Sequence, residues 1–325
     1  MTDALDLRLL NEFQRGFPLE ARPFDAVGAQ LGADGNEVLW RFRRLLQDGF
    51  LSRIGVALRP GAAGASTLAA MAVPPQRLEA VAAQVNAHPG VNHNYEREHH
   101  VNLWFVLAAP GAAALEAVLA EVRRDTGLPV LSLPLEAEYH IDLGFDLHTG
   151  AAPRAVAPAT ARVEEAERPL LAAIAEGLPL VPEPYAALGR AAGMDAGTVR
   201  EILLRWIETG IARRFGCIVR HRRLGYEANA MAVWDVPEAE VDERGARLAR
   251  QPGVTLCYRR RRDPQWRYNL YCMVHGRERG AVRAQIEAAA AAAGLAGLPH
   301  EVLFSRRCFR QRGARYAPQA EAAHG

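Results

Sequence analysis

Apolar positions along this chain follow two alternating rhythms, and the whole order of rhythms occurs twice. Near the start, Val38, Phe42 and Leu45 form a stripe at i, i+4 and i+7, the spacing of one helix face. Asp34 precedes the stripe as an N-cap with Glu37 at capping-box distance, and Gly49 stops it. A short helix over 24–31 and a turn at Gly32 come before; a strand or wing over 50–58 follows. In the second half Val199, Leu203 and Trp206 make the stripe, Asp195 the cap and Gly210 the stop. The pattern predicts a helix-turn-helix with a short wing, present twice.

Strand-like and helix-like stretches then alternate. The first copy has strands over 67–73, 91–97, 101–108 and 129–137, with helices over 74–86 and 112–126. The second has strands over 227–236, 254–260, 267–275 and 301–305, with helices over 238–250 and 278–293. A βαββαβ order implies a ferredoxin-like antiparallel sheet with both helices on one face. Each sheet leaves its other face open, so the two are expected to pack on each other as a pseudo-dimer. The expected fold class is therefore α+β, in two tandem copies. Helix-turn-helix domains fall at 1–60 and 165–223, and ferredoxin-like domains at 65–147 and 226–316. An Ala-, Pro- and Thr-rich linker lies at 148–164, and a frayed tail starts near Ala317.

Short identities confirm the duplication. Gly16-Phe17-Pro18-Leu19 returns as Gly177-Leu178-Pro179-Leu180, His88-Pro89-Gly90-Val91 as Gln251-Pro252-Gly253-Val254, and Asn102-Leu103-Trp104 as Asn269-Leu270-Tyr271. Between the last two landmarks the copies part. One reads Tyr95-Glu96-Arg97-Glu98-His99-His100; the other reads Tyr258-Arg259-Arg260-Arg261-Arg262. A common scaffold with one divergent polar segment directs the search for chemistry there.

Composition narrows the partner. The 325 residues are 50% hydrophobic and 23% charged, as in soluble multidomain proteins. No apolar run approaches the roughly 20 residues that span a bilayer, and the first residues lack a basic signal-peptide start. The expectation is a cytoplasmic protein with no membrane contact. Cys217, Cys257, Cys272 and Cys308 all fall in the second half without a C-x-x-C pair, which suits structural thiols better than a metal site. The net charge is +2, yet there is no lysine. The arginines cluster at 213, 214, 220, 222 and 223, at 259–262 and 267, and at 306, 307, 310, 312 and 315. Guanidinium groups bind carboxylates in bidentate fashion and stay charged, so sparsely interleaved clusters favour an anionic partner.

The domain order resembles the Lrp/AsnC transcription regulators, and more closely their offshoot, the siroheme decarboxylases. Three stretches carry the closer resemblance. Asn94 to Phe105 is similar to the first-subunit signature N-Y-x-R-x-H-x-Y-N-L-W-F, with Val101 where that signature has Tyr. Phe215 to Trp234 is similar to the second-subunit run, as is Cys257 to Arg262 with Trp266-Arg267-Tyr268-Asn269-Leu270-Tyr271 and His275-Gly276. The resemblance implies conversion of siroheme to 12,18-didecarboxysiroheme by loss of CO2 from the C12 and C18 acetates, in heme d1 or alternative heme biosynthesis. It implies no organic cofactor and no added metal, the iron belonging to the substrate. The two subunits of the usual arrangement would be fused here. A homologous subunit pair and a homodimer are further candidate partners.

Siroheme carries eight carboxylates, so a binder needs fixed cations around an apolar slot. Arg220, Arg259, Arg260, Arg261, Arg262 and Arg267 are the candidates, with Trp266 and Tyr258 offering faces to the macrocycle. Strand alternation separates Arg259 and Arg261 from Arg260 and Arg262. Loss of CO2 leaves carbanion-like density that needs a proton, hence a general acid near neutrality. The resemblance places His99 there; Tyr95, Tyr258 and Tyr268 would donate or orient, and Arg97 would pin the acetate. His221 and His275 are candidate ligands of the siroheme iron, a structural role being the alternative. His88, His93 and His100 read as surface or turn histidines, and Asn102 and Asn269 as residues that finish hydrogen bonds at a strand start. Arg306 to Arg315 reads either as a solvated end or as part of the binding surface. A DNA-binding regulator is the main rival, with Arg41, Arg43 and Arg44 on phosphates. Against it, the second candidate recognition helix sets Glu201 and Glu208 beside only Arg200 and Arg205. A tetrapyrrole sensor without catalysis is the third reading.

Overall fold

The computed structural model describes residues 2–141, Gly144 and 160–316; the expected tail and most of the expected linker lie outside the described residues. In chain order the elements begin with α1 (Ala4–Glu12), α2 (Pro23–Leu31), α3 (Gly35–Gln47), β1 (Leu51–Leu58) and β2 (Ala65–Met71). There follow α4 (Leu78–Ala87), β3 (Val91–Arg97), β4 (Leu103–Ala109), α5 (Ala112–Thr126) and β5 (Leu131–Ile141). The second copy supplies α6 (Arg168–Ala173), α7 (Pro184–Ala192), α8 (Ala196–Glu208), β6 (Ala212–Val219) and β7 (Ala228–Trp234). It closes with α9 (Val241–Leu248), β8 (Val254–Arg260), β9 (Leu270–Gly276), α10 (Arg279–Ala292) and β10 (His300–Gln311). Two compact units emerge, and the division cuts across the repeat. Of the described residues, one takes 2–64, 160–224 and 315–316; the other takes 65–141, Gly144 and 225–314. Each unit therefore holds matching parts of both copies.

The first unit contains both helix-turn-helix copies. Val38, Phe42 and Leu45 are buried on α3, as are Val199, Leu203 and Trp206 on α8. Asp34 caps α3 by accepting the N–H groups of Asn36 and Glu37. The expected capping box stays one-sided, because the Glu37 carboxylate takes Arg41 at 2.8 Å. Gly49, with φ 78°, adopts the left-handed conformation that ends the helix. The two wings pair with each other: β1 and β6 form an antiparallel ribbon with Gly55 opposite Gly216. A Cβ on Gly216 would collide with the carbonyl oxygens of Phe13 and Gln14, the latter at 2.6 Å, so only glycine lets that loop lie on the ribbon.

The second unit contains both ferredoxin-like copies. The expected stacking of two sheets goes further, since the strands close into a barrel in the order β10-β3-β4-β2-β5-β8-β9-β7. Closure depends on two strands longer than the local pattern predicted. β5 pairs with β2 through Pro134 and then with β8 from Leu135. β10 pairs with β7 through Phe304 and then with β3 from Ser305. Each crosses from its own copy into the other, which removes exposed sheet edges. The stretch Arg306 to Arg315, expected as a solvated end, is thereby in part strand, with Arg306 and Arg307 still exposed. That stretch continues β10 to Gln311, and Arg307 meets Glu96 at 2.6 Å. The helices cover the outside over two apolar clusters, one around Leu103, Phe105 and Leu119, the other around Ala232, Leu270 and Ile286. A third cluster fills the interior, with Leu68, Trp104, Leu133, Met231, Tyr271 and Leu303 drawn from both copies. At about 1.5–3 kcal/mol per buried large side chain, this shared core holds the halves together.

Candidate active site in the barrel interior

Alternation along β3 and β8 aims corresponding side chains into the barrel. On β3, Asn94 points outward and donates to the Ala82 carbonyl at 3.3 Å, which turns Tyr95 and Arg97 inward. Arg97 is 7% exposed, donates to the Leu303 carbonyl at 3.1 Å and reaches the Met273 sulfur. Its guanidinium lies 6.0 Å from the centroid of the Tyr95 ring. On β8, Tyr258 belongs to the interior cluster and Arg260 lies 4.6 Å over its ring, donating to the Leu133 carbonyl at 2.7 Å. Tyr95–Arg97 and Tyr258–Arg260 are thus two copies of one device. His93, expected at the surface, is instead half-buried and stacked on Tyr95 at 6.2 Å.

The arginine run is sorted by the fold. Arg259 points outward to Glu136, Glu238 and Asp242. β8 ends at Arg260, so alternation stops there, and Arg262 turns back to Asp235 at 2.8 Å and Glu238 at 2.6 Å. The expected shared face of Arg260 and Arg262 is therefore overturned. Arg267 joins Asp235 at 2.6 Å, and Arg261 is exposed, 3.7 Å from Glu136. Arg260 alone of the run has no carboxylate among the described residues, and its Nε is buried without a hydrogen-bond partner. A guanidinium in that state is costly unless an anion completes it.

At one end of the interior, aromatic rings form a continuous array. Trp266 is 3% exposed, held by a tight turn in which Asp263 and Trp266 exchange backbone hydrogen bonds. It packs edge-on against His99 at 5.3 Å, Trp104 at 5.1 Å and Tyr268 at 5.0 Å. Its indole N–H donates to the Tyr271 hydroxyl at 2.8 Å, and Tyr271 stacks on Tyr258 at 5.7 Å. Trp266 and Tyr258 were expected to offer open faces; both are buried, and Tyr258 lies between Tyr271 and Arg260. Val101 completes this wall, accepting the Trp104 N–H at its carbonyl at 2.8 Å.

Two histidines are engaged through Nδ1. The Val101 N–H donates to His99 Nδ1 at 3.0 Å, so the neutral His99 ring carries its proton on Nε2. Burial, and then the neighbouring His100, push the His99 pKa below its ordinary value, with Glu301 pulling the other way. Thr255 donates to the Met273 carbonyl at 3.1 Å and lies 2.8 Å from His275 Nδ1. The Thr255 hydroxyl and His275 Nδ1 share this contact, with donor and acceptor set by the tautomer of the ring. Burial, followed by the Glu301 carboxylate, raises the Tyr268 phenol above its ordinary pKa. Glu301 is the residue that sequence reasoning missed. Its only signal was position, two residues before Leu303 in a strand that alternates inward.

Other expected residues fall elsewhere. Arg220 and His221 belong to the first unit; Arg220 is exposed and its N–H donates to the Phe50 carbonyl, while His221 opens a single 3-10 turn. Asn102 and Asn269 brace strand ends as expected, each exchanging two hydrogen bonds with the backbone of Val73 and Val236 respectively. His88 is buried beside Asp125 at 3.2 Å. Among the described residues no group of three or more His, Cys, Asp or Glu side chains is placed to hold a metal ion, and no helix is long and apolar enough to cross a membrane.

Sequence and structure comparisons decide the family. The model of the siroheme decarboxylase NirDL-like HTH domain matches residues 6–51 and 167–213, and that of the AsnC-like ligand binding domain matches 62–140 and 223–310. The siroheme decarboxylase NirDL subunit of Paracoccus denitrificans (strain Pd 1222) is 48% identical over 98% of this chain and 99% of its own length. The chain belongs to the siroheme decarboxylase NirDL family. A siroheme decarboxylase NirD subunit of Stutzerimonas stutzeri is 53% identical over 45% of this chain and 95% of its own, so relatives of single-copy length exist. A crystal structure of the siroheme decarboxylase NirDL in co-complex with an iron-uroporphyrin III analogue is 29% identical with a TM-score of 0.67, covering 96% of this chain and 93% of that one.

Proposed function

We propose that this chain is a siroheme decarboxylase, a carboxy-lyase converting siroheme to 12,18-didecarboxysiroheme for heme d1 formation, with the barrel interior as its working site. Arg260 carries this reading. It is an inward guanidinium with no acid of its own among the described residues, in a run whose other members are exposed or already paired. A substrate with several carboxylates would complete it, and Arg97, at the matching position of β3, would take a second one.

The chemistry breaks the bond between the acetate CH2 and its carboxylate. The electron pair stays on the CH2 carbon in conjugation with the macrocycle, CO2 leaves, and one proton makes the methyl group. Arg97 or Arg260 fixes the carboxylate, while the array around Trp266 excludes water and favours loss of charge from the leaving group. His99 in its protonated form supplies the proton, and the Tyr95, Tyr258 and Tyr268 hydroxyls orient donor and acceptor. The copies differ at His99, whose counterpart Arg262 is bound to Asp235 and Glu238. An imidazole nitrogen of His275 would ligate the iron carried by the substrate.

The regulator reading loses its phosphate contacts. On α3, Arg41 is held by Asp3, Asp6 and Glu37, Arg44 by Asp6, and Arg43 by the Leu180 carbonyl. On α8, Arg200 donates to the Ala196 carbonyl and Arg205 is paired with Glu164 and Glu167. The test of the reading is anaerobic incubation with siroheme and mass spectrometry of the pigment. Loss of two CO2 is expected; an unchanged mass with bound pigment would indicate a sensor instead.

A further inference from the structure

One carboxylate stands where an anion-binding interior should repel it. Glu301 lies opposite Val233 in the β10–β7 pairing and two residues before Leu303. Val233 and Leu303 both belong to the interior cluster, with no exposed surface. Opposed residues and alternate residues share a face, so the Glu301 side chain enters the barrel. It remains half-buried, and from this inward position its charge acts on His99 and on the Tyr268 phenol, the two groups that flank Trp266. The nearby acids Asp235, Glu238 and Glu98 each hold an arginine; Glu301 holds none among the described residues.

We propose that Glu301 is a positioning residue of the decarboxylation site, holding His99 in its proton-bearing form and orienting the Tyr268 hydroxyl so that a proton is at hand as the carboxylate leaves. This rests on the reading of the chain as a siroheme decarboxylase. Burial and His100 both disfavour a charge on His99, and Glu301 opposes them. The groups facing His99 are His100 from its own loop, Glu301 from β10 and, across Trp266, Tyr268; Tyr268 is faced in turn by Arg267 and Asp235. A carboxylate aimed toward a polyanionic substrate does nothing for affinity, so its role should appear in turnover and not in binding.

The test is Glu301→Gln in the full chain, assayed anaerobically with siroheme across the pH range on both sides of neutrality. The limb over which kcat falls with rising pH should move to lower pH, with turnover at neutral pH dropping roughly tenfold for each unit moved. Siroheme affinity should be unchanged or tighter, and Glu301→Asp should keep the limb near that of the parent chain. In the pigment-free protein, the His99 ring should titrate at lower pH in Glu301→Gln when followed by NMR. An unmoved limb and an unmoved His99 midpoint would overturn the proposal, as would binding that weakens in step with turnover. If the unaltered chain releases no CO2, the functional reading fails, while the NMR titration still tests the pairing of Glu301 with His99.

Discussion

Arg260→Met separates a binding arginine from a structural one. The methionine keeps an apolar stem against Tyr258 and removes a guanidinium whose Nε is buried without a partner. In the pigment-free protein this relieves an uncompensated charge, so the melting temperature should hold or rise. With siroheme present, a charge-assisted hydrogen bond worth about 2–3 kcal/mol disappears, which corresponds to a Kd roughly 30- to 150-fold higher. Arg262→Met is the control. Its ion pairs with Asp235 and Glu238 lie at a partly exposed rim and contribute about 0–1 kcal/mol to stability, and siroheme affinity should change less than about threefold. An anaerobic absorbance titration with siroheme and a thermal melt on both variants measure the four quantities. A lower melting temperature with unchanged siroheme affinity for Arg260→Met would refute the argument, and so would equal loss of affinity in the two variants.

His99→Ala should slow turnover far more than it weakens siroheme binding; equal losses would point to a binding or ligating role. Because His99 acts when protonated and its pKa is depressed by burial and His100, kcat should be full only below that depressed pKa and already be falling before pH reaches the ordinary histidine value. A kcat that rises with pH through the same window would contradict the assignment. In gel shifts at physiological salt, duplex DNA should bind no better than ~10⁻⁴ M, the weak end of nonspecific affinity; a sharp retarded band at micromolar protein would restore the regulator reading. Gly216→Ala should cost about 1–3 kcal/mol in chemical denaturation, because the Phe13–Gln14 loop leaves no room for a Cβ; unchanged stability would show that the loop yields.

Much of the fold was legible because its signals are local. The stripes at 38, 42, 45 and 199, 203, 206 needed only helical periodicity, and β3, β8 and α5 fell at the expected residues. The strands β5 and β10 were read too short, since their second halves are stabilised by strands of the other copy. The arginines after Ser305 look like a strand's end until that partner is known. Likewise the capping box at Asp34 had the right spacing, but Arg41 won the Glu37 carboxylate.

The site divides along the same line. The amino-acid order alone carried the duplication, the divergence between His99 and Arg262, and the motifs that place the chain beside the siroheme decarboxylases. It could not rank four consecutive arginines. Their acids come from 136, 235, 238 and 242, and only folding sets these around Arg259 and Arg262 while leaving Arg260 to the interior. Nor could it assign the tautomer of His99, fixed by the Val101 N–H. Side-chain periodicity is a property of a segment; charge compensation is a property of the space where segments meet. Barrel closure supplied the second, and with it the meaning of Glu301.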